Sequence, residues 1–395
     1  MNQIYPPLDP PTRLLMGPGP SDIHPNVLEA LSKPTVGHLD PYYLEAMDGL
    51  QRMLRGLFKT KNELTFAISA TGSAGMEAAV VNVIEPGDKM LVCVNGVFGG
   101  RMADVARRAG ANVTIIEKPW GEIFHPADIQ SAIQTANPDV VGIVMAETST
   151  GASQGLAEIS ALAHDAGALL LVDAVTSLGG MDINVDQCGI DVIYSGSQKC
   201  LSCPPGLAPI SFSPRAVERV ANRSTPVQSW YLDVSMIANY WGENRVYHHT
   251  APINMTYGLY EAVRLIHEEG LDSCFQRHTI NHLALKAGLE TLGFQYAADP
   301  QAQLPMLNAV FLPSDVEDLP MRNDLLTKFG IEIGGGLGLW KGKAWRIGIM
   351  GYGARSDNVL RLLDAIEHLF FEYGIPVEMG DGQAAANAVY HSQNP

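Results

Sequence analysis

The sequence predicts an α/β protein built on a mostly parallel sheet that is sandwiched by helices. Short apolar runs alternate with amphipathic stretches through the first two thirds of the chain, as in strands joined by helical crossovers. Most of these runs end in small or polar residues, and ligands of open α/β sheets bind outside the carboxyl ends of the strands. The seven predicted strands are Leu64–Ile68, Met90–Val94, Asn112–Ile116, Val140–Met145, Leu169–Val172, Val192–Tyr194 and Leu207–Phe212.

After about residue 260 the pattern changes to that of a smaller α+β domain. Two long helical patterns, Ser273–Leu292 and Ser356–Tyr373, enclose apolar runs at Leu304–Leu312 and Ala344–Met350. An apolar run between amphipathic helices is typical of a strand that those helices cover. We therefore expect a second, smaller layer of sheet and helix in the C-terminal part.

The chain divides into three predicted segments. Residues 1–22 form an N-terminal arm whose Pro- and Gly-rich sequence indicates extended chain, residues 23–268 form the large domain, and residues 269–395 form the small domain. The tail after Gly374 ends in AAANAVYHSQNP and predicts a short, loosely attached helix.

Composition excludes several classes of protein. The 395 residues are 46% hydrophobic, which is enough for a sizeable core and argues against disorder. With 26 Lys and Arg against 42 Asp and Glu, the net charge of −16 disfavours nucleic acid and anionic membranes as partners. No apolar segment approaches the roughly 20 residues of a spanning helix. The absence of a signal-peptide pattern and an odd count of five cysteines predict reduced thiols in the cytoplasm.

The segment Ser69–Gly75, SATGSAG, lies between a predicted strand and the helical run MEAAVVNVI. Small residues let backbone N–H groups approach a ligand, and a helix start adds unpaired donors and a positive dipole end. Its spacing matches neither GxxxxGK[ST] nor GxGxxG, which weighs against P-loop and dinucleotide-binding folds. The segment indicates a phosphate cradle, with an ordinary Gly/Ser turn as the alternative.

Two charged residues follow later strands. Asp173 comes directly after the apolar run ALLLV, so we expect a partly desolvated carboxylate that needs a cationic partner. A helix N-cap or a Mg²⁺ ligand is the alternative. Lys199 stands in YSGSQK, just past another strand. It is either a solvated loop residue or an amine held for Schiff-base chemistry.

Taken together and in this order, the three features are the parts that hold pyridoxal 5′-phosphate. The lysine bonds to the cofactor's aldehyde, the aspartate keeps its ring nitrogen protonated so that the ring accepts electrons, and the cradle fixes its phosphate. The combination predicts this cofactor more strongly than any one feature alone.

The sequence resembles the class V aminotransferases of fold type I over nearly its whole length, and within them the alanine–glyoxylate and serine–glyoxylate branch. The motifs that carry the resemblance are LLMGPGPS, GHLDP, AISATGSAGMEAA, NGVFGGR, ETSTG, LLLVDAVTSLGG, YSGSQKCLSCPPG, WYLD, YHHTAPIN, GGGLG and WRIGIMGYGAR. SGSQK followed by PPG is the specific one, and GHLDP and YHHT point toward the alanine–glyoxylate side. The resemblance implies a homodimer with active sites shared between the subunits.

The resemblance also implies roles for single residues. Lys199 matches the lysine that bonds to the cofactor, and Asp173 matches the partner of the ring nitrogen. Phe98 falls where an aromatic side chain, often tryptophan, stacks on the cofactor ring. Thr148 falls where a hydroxyl approaches the phenolic oxygen. The residues that match the phosphate-binding set are Thr71, Gly72, Ser73 and Gln198, with Tyr247 and Thr250 reaching over from the neighbouring subunit.

Arg346 matches the arginine that grips the substrate carboxylate. It lies in the apolar stretch AWRIGIM, where an unpaired guanidinium is costly to bury, so a carboxylate ligand or a structural salt bridge is expected beside it. His248 and His249 are adjacent, and adjacent side chains cannot share one face of a helix or strand, so we predict no metal pair. His38 is predicted to be a structural histidine that could also face substrate or a partner chain.

The resemblance implies a ping-pong transamination in which L-alanine aminates glyoxylate, giving pyruvate and glycine, with L-serine as the competing donor. Ureidoglycine–glyoxylate aminotransferase is an alternative, but there we expect glutamine in place of His38 and asparagine in place of Tyr247. A cysteine desulfurase needs a mobile cysteine and a ring-stacking histidine, where this chain offers Cys274 and Phe98. A non-catalytic α/β binding protein is the alternative from another class.

Overall fold

A computed structural model of the chain describes residues 5–393. Its helices are α1 (Pro25–Leu31), α2 (Pro41–Phe58), α3 (Gly72–Val83), α4 (Val97–Arg108), α5 (Pro126–Ala136), α6 (Ala157–Asp165), α7 (Val185–Cys188), α8 (Pro214–Ala221), α9 (Val234–Trp241), α10 (Ile253–Glu269), α11 (Leu271–Thr291), α12 (Asp318–Lys328), α13 (Ser356–Glu372) and α14 (Asp381–Gln393). Its strands are β1 (Leu14–Leu15), β2 (Leu64–Ile68), β3 (Lys89–Val94), β4 (Asn112–Glu117), β5 (Val140–Val144), β6 (Ala146–Glu147), β7 (Ala152–Ser153), β8 (Leu169–Asp173), β9 (Val192–Tyr194), β10 (Ala208–Phe212), β11 (Gln295–Tyr296), β12 (Leu307–Phe311), β13 (Ile331–Glu332), β14 (Gly334–Gly335) and β15 (Ala344–Gly348). Two 3₁₀ turns span Gly338–Trp340 and Gly351–Gly353.

The large sheet has seven strands in the order β2-β10-β9-β8-β5-β3-β4. Strand β10 is antiparallel to both of its neighbours, and the other neighbouring strands are parallel. The predicted mostly parallel, seven-stranded sheet is confirmed, and each predicted strand is present with its ends within one residue of the prediction.

Burial explains why these runs form central strands. Every residue of β5, β8, β9 and β10 is buried, so both faces of the sheet are covered. Helices α2 to α6 pack against these and the neighbouring strands. Strand β4 lies at the edge and is partly exposed along its length. Continuous apolar runs are what a parallel sheet with two covered faces requires.

The C-terminal part contains a second sheet, of four strands in the order β11-β12-β15-β14. The two predicted long helices are present as α11 and α13. A second hydrophobic core, made of residues from Ala284 to Ala386 together with Leu14 and Met16 of the arm, surrounds this sheet. The division at residues 22 and 268 stays a prediction.

The tail after Gly374 is firmly packed, so the predicted loose attachment is wrong. Helix α14 lies along α11, and its Tyr390 hydroxyl donates to Asn281 Oδ1 at 2.7 Å. The reason is close approach of small residues: a Cβ added to Gly288 of α11 would lie 2.9 Å from the carbonyl oxygen of Gly382. Ala386 is fully buried in the same contact.

The arm is extended where the structure describes it, and residues 1–4 of the predicted arm lie outside the described residues. Strand β1 pairs in parallel with β13, and the Gly348 N–H donates to the Met16 carbonyl. These contacts carry the following Gly-Pro-Gly-Pro segment to the carboxyl ends of the large sheet's strands. No helix within residues 5–393 is long and apolar enough to cross a membrane.

Candidate active site

A cavity of ≈ 180 Å³ lies at the carboxyl ends of the central strands. It is lined by Gly72, Ser73, Met76, Phe98, Arg101, Val144, Ala146, Thr148, Asp173, Val175, Thr176, Tyr194, Gln198 and Lys199. Seven of the residues proposed from the sequence therefore meet in one place although they span 128 positions of the chain, from 72 to 199. The parallel strands bring them together because their carboxyl ends share one edge of the sheet.

Asp173 is the last residue of β8 and is almost completely buried. Its Oδ1 accepts a hydrogen bond from the Val175 N–H at 2.8 Å, and its Oδ2 accepts one from the Tyr194 hydroxyl at 2.7 Å. Burial raises the pKa of Asp173 to about 6, although both hydrogen bonds act in the opposite direction. The chain turns after Asp173 without starting a helix, which removes the N-cap alternative.

Tyr194 is a site residue that the sequence reasoning missed. It ends β9 directly opposite Asp173 in the parallel pairing of β8 with β9. Burial and the nearby Asp173 carboxylate raise its pKa well above the ordinary tyrosine value, so the hydroxyl stays a donor. The tyrosine ends the run DVIY, but its role follows only once β8 and β9 are known to be neighbouring strands.

Lys199 is 8% exposed, which rules out the solvated-loop alternative. Its Nζ donates to the carbonyl of Pro18 in the arm, and its own carbonyl accepts from the Ser21 hydroxyl at 2.6 Å. Burial lowers the pKa of Lys199 to about 8, and the positive charge of Arg346 acts in the same direction. A lysine in this state holds a substantial neutral fraction near physiological pH, as an amine nucleophile requires.

The predicted phosphate cradle opens α3. Thr71 is the N-cap residue, and its side chain makes no capping hydrogen bond within residues 5–393. The Ala74 N–H donates to the Thr71 carbonyl, which leaves the N–H groups of Gly72 and Ser73 at the helix start for a ligand. Gly72 is buried and Ser73 lines the cavity. Gln198 Oε1 is buried and finds no hydrogen-bond partner among residues 5–393, as expected of a group that meets a ligand. The cradle and this amide together fit a phosphorylated cofactor.

Phe98 and Thr148 form walls of the same cavity. Phe98 lies in the first turn of α4, and the Arg101 guanidinium stands over its ring, 4.8 Å from the ring centre. Thr148 is 3% exposed and follows the short strand β6. An aromatic ring and a buried hydroxyl suit the flat, polar ring of pyridoxal phosphate.

Arg346 lies in the middle of β15 and is 9% exposed. Its Nε donates to the Gly335 carbonyl at 2.8 Å, and one terminal nitrogen lies 3.5 Å from the Thr148 carbonyl. No carboxylate of residues 5–393 lies within 4.0 Å of it, so the structural salt bridge considered from the sequence is wrong. Burial lowers its pKa from the ordinary arginine value. A buried fork without a carboxylate beside it is suited to an anionic ligand.

Tyr247 and Thr250 lie outside this cavity, on the loop that follows α9. Tyr247 is 56% exposed, and its hydroxyl lies 3.5 Å from that of Thr250. The Tyr247 ring packs against His38, with 5.0 Å between the ring centres. Within one chain these two predicted cofactor contacts are therefore surface residues.

His248 and His249 are in direct contact, although adjacent side chains were expected to point to different faces. They lie in a loop that is neither helix nor strand, so the alternation of side chains does not apply. Their Nδ1 atoms are 2.8 Å apart, and His249 Nε2 lies 2.7 Å from Ser69 Oγ. Burial lowers the pKa of His249 to about 4. Within the described residues no group of three or more ligating side chains is placed to hold a metal.

Comparison with known proteins agrees with this site. A family model described as aminotransferase class-V matches residues 15–338. The chain therefore belongs to the class V aminotransferases.

Three similar proteins within the family can be compared with this chain. The (S)-ureidoglycine–glyoxylate transaminase of Bacillus subtilis (strain 168) is 38% identical over 97% of this chain and 96% of its own length. The alanine–glyoxylate aminotransferase of Felis catus is 41% identical over 91% of this chain and 88% of its own length. The solved structure of an alanine–glyoxylate aminotransferase from Nostoc sp. is 47% identical, with a TM-score of 0.92 over 93% of this chain and 98% of that one.

Proposed function

We propose that this class V aminotransferase uses pyridoxal 5′-phosphate to move the amino group of L-alanine to glyoxylate, giving pyruvate and glycine. The observation that carries the proposal is the burial of Lys199 and Asp173 in one cavity, beside a helix start that can hold a phosphate. When bound, pyridoxal phosphate supplies an aldehyde that bonds to amines and a ring that accepts the electron pair left when an α-proton departs.

Lys199 and Asp173 divide the proton chemistry between them. The Lys199 amine, with a pKa near 8, can take the α-proton of the donor and return a proton to the acceptor. Asp173 presents a carboxylate held by Tyr194 and by the Val175 N–H. This carboxylate would keep the ring nitrogen of the bound cofactor protonated, and the pKa of Asp173 would fall beside that positive charge.

Arg346 is placed to hold the substrate carboxylate. Alanine, pyruvate, glyoxylate and glycine all carry one carboxylate, so a single guanidinium can serve both half-reactions. One site that receives the donor and then the acceptor requires the first product to leave before the second substrate binds. This gives a ping-pong order.

A homodimer is part of the proposal. Several large side chains of the segments around His38 and Tyr247 are exposed: Leu39, Tyr42, Trp230, Val246 and Tyr247 itself. A face of this kind is typical of subunit contact, and a partner there would let Tyr247 and Thr250 reach the neighbouring cavity. Light scattering at micromolar concentration tests this, and a monomeric active enzyme would contradict it. The cytoplasmic location stays a prediction.

The ureidoglycine reaction is the second candidate, because the Bacillus relative with that activity matches 97% of the chain. His38 and Tyr247, where we expect glutamine and asparagine in that branch, are in contact with each other. Because the two side chains are in contact, exchanging them together tests whether they choose between alanine and a donor with a ureido group.

A cysteine desulfurase is disfavoured by Cys274. This cysteine lies within α11, fully buried, with its Sγ donating to the Gly179 carbonyl at 3.2 Å. Burial raises the pKa of its thiol to about 12, so it is not a thiolate near neutral pH. Its place inside a packed helix also differs from the mobile segment that a desulfurase needs.

A donor panel tests the proposal directly. Purified enzyme is assayed with L-alanine, L-serine, L-aspartate and (S)-ureidoglycine, with glyoxylate as acceptor. We expect kcat/KM to be highest for alanine, and comparable values for all donors would contradict the assignment. The double variant His38→Gln/Tyr247→Asn should raise the ratio of ureidoglycine to alanine activity. His24→Gln, which changes another partly exposed histidine, is the matched control and should leave the ratio unchanged.

Cofactor binding is tested by absorbance. Wild-type protein incubated with pyridoxal phosphate and dialysed should keep a visible absorbance band, and Lys199→Ala should lose that band together with activity. Lys33→Ala, a change to an exposed lysine, should behave as wild type. An unchanged spectrum in Lys199→Ala would overturn the role of this lysine, and a colourless wild-type protein would favour the non-catalytic binding protein.

A further inference from the structure

Glu147 is a fully buried carboxylate beside the cavity that neither the sequence motifs nor the proposed reaction explains. It ends the short strand β6 and directly precedes the cavity residue Thr148. A buried carboxylate is destabilising unless its oxygens are hydrogen-bonded, so its partners show what it is used for.

Both oxygens of Glu147 are fully engaged. Oε2 accepts from the backbone N–H groups of Phe98 and Gly99, at 3.0 and 3.3 Å. Oε1 accepts from the N–H and the hydroxyl of Ser149, at 3.1 and 2.5 Å. The Ser149 hydroxyl oxygen in turn accepts from the Val97 N–H at 3.0 Å. Three N–H groups of the first turn of α4 are thus held by a segment about 50 residues away.

Gly96, the residue before the helix, provides the space that this arrangement needs. Gly96 is the N-cap residue of α4 and has no side chain to cap the helix. A Cβ added there would lie 2.3 Å from Glu147 Cγ and 2.5 Å from Ser149 Oγ. The cap is therefore supplied from outside the helix, and the absence of a side chain at Gly96 leaves the space that Glu147 and Ser149 occupy.

We propose that Glu147 is a positioning residue for the cofactor ring: it ties the helix start that carries Phe98 to the segment that carries Thr148, and so fixes the separation of two cavity walls. The inference rests on the proposed function. Phe98 follows the capped N–H groups directly, and Thr148 lies between Glu147 and Ser149, so movement of the cap moves both walls.

The charge of Glu147 adds to this arrangement. Its oxygens accept from N–H and O–H donors and not from Arg346, yet its charge partly opposes the lowering of the Arg346 pKa that burial causes. The same charge raises the pKa of Asp173. Glu147 is therefore a counter-charge that leaves the Arg346 fork free for a ligand.

Glu367 offers a matched control. It is also a fully buried carboxylate that caps a helix start, because it accepts from the N–H groups of Gly380 and Gly382 at 2.9 and 2.7 Å. That cap belongs to α14, away from the cavity-lining residues. Glu147→Gln and Glu367→Gln make the same change in the same type of cap: an amide NH2 group replaces one carboxylate oxygen, and the negative charge is lost.

The experiment compares wild type, Glu147→Gln and Glu367→Gln as apoproteins. Thermal melting measures stability, titration with pyridoxal phosphate gives Kd, and circular dichroism of the bound cofactor reports the fixed orientation of its ring. We expect both variants to melt at lower temperature than wild type. Only Glu147→Gln should bind the cofactor about tenfold more weakly and change the cofactor's dichroism, in line with the loss of charge-assisted hydrogen bonds.

Equal Kd and dichroism in Glu147→Gln and wild type would overturn the inference and leave Glu147 as a structural cap. A wild-type apoprotein that takes up no pyridoxal phosphate would overturn the proposed function instead, so the two failures are distinguishable. If Glu147→Gln does not fold, Ser149→Ala, which removes the hydroxyl link to Val97 and keeps the carboxylate, should weaken cofactor binding in the same direction. Unchanged binding in that variant would count against the inference.

Discussion

The Tyr194 hydroxyl donates a 2.7 Å hydrogen bond to Oδ2 of Asp173, and both side chains are buried at the ends of neighbouring parallel strands. The second carboxylate oxygen accepts from the Val175 N–H. The carboxylate is therefore fixed from two sides, by β9 and by the turn that follows β8. Its orientation toward the cavity is a property of the sheet and does not depend on a bound ligand.

Tyr194→Phe should weaken cofactor binding and shift its pH dependence. The hydrogen bond from Tyr194 lowers the pKa of Asp173 against the larger effect of burial, which raises it to about 6. Without the hydroxyl the pKa rises further, so the charge that pairs with the ring nitrogen is lost at higher pH. We expect the acid limb of cofactor affinity, with a midpoint near pH 6 in wild type, to move upward, and Kd at pH 7 to increase about tenfold.

Tyr43→Phe is the control for that change. Tyr43 is also buried and hydroxyl-bonded, with its Oη 3.0 Å from Thr256 Oγ1, but it lies away from the cavity. It should lower the melting temperature and leave both Kd and the acid midpoint unchanged. Equal pH profiles of cofactor affinity for Tyr194→Phe and wild type would contradict the role of Tyr194.

Uptake of pyridoxal phosphate by the apoprotein should become faster as the pH rises through about 8. Burial lowers the pKa of Lys199 from its ordinary 10.5 to about 8, and the neutral amine is the form that attacks an aldehyde. Stopped-flow absorbance over a range of roughly pH 6.5–9.5, which brackets the lowered pKa, measures the midpoint. A midpoint near 10 would contradict the lowered pKa.

The same pKa predicts how stability depends on pH. Between about pH 8 and 10.5 the unfolded chain holds a proton on Lys199 that the folded chain has lost, so the free energy of unfolding rises with pH in that window. The full difference amounts to about 3 kcal/mol. Denaturant titrations of the apoprotein should show this rise, and Lys199→Met, which keeps the length of the side chain without the charge, should lack it.

Gly19→Ala should block the site without altering any polar group. Gly19 has a φ of +106°, and a Cβ added there would lie 2.5 Å from Lys199 Nζ and 2.8 Å from its Cδ. The strain of that backbone region and the collision should cost at least about 1–3 kcal/mol or displace the lysine. We expect loss of the visible absorbance band on incubation with pyridoxal phosphate. Gly37→Ala, where an added Cβ meets no described atom within 4 Å, should bind the cofactor as wild type does.

The parts of this site that could be predicted from sequence are those that lie along one strand and its following loop. The strand ends and Asp173 follow from uninterrupted apolar runs, because burial on both faces leaves a simple pattern. Tyr194 and Glu147 could not be found in this way, because their roles depend on which strands and segments are neighbours in space. The firm packing of α14 could not be predicted either, because its contacts depend on small residues such as Gly288 and Ala386, which give no strong pattern of hydrophobicity in the sequence.

Arg346→Gln should raise KM for both alanine and glyoxylate about 100-fold, because the variant loses the charge-assisted contact to the substrate carboxylate. In the wild-type protein the guanidinium is buried, and no carboxylate of residues 5–393 lies within 4.0 Å of it. Arg346→Lys should give an intermediate effect, since it keeps the charge and loses the planar fork. Kd for pyridoxal phosphate should stay near the wild-type value, because Arg346 is absent from the cavity lining. Steady-state kinetics with each substrate varied in turn measure these effects, with Arg264→Gln, a change in a surface ion pair, as the control. A wild-type KM in Arg346→Gln would contradict its role as the carboxylate partner and would leave Arg101, the arginine that lines the cavity, as the candidate.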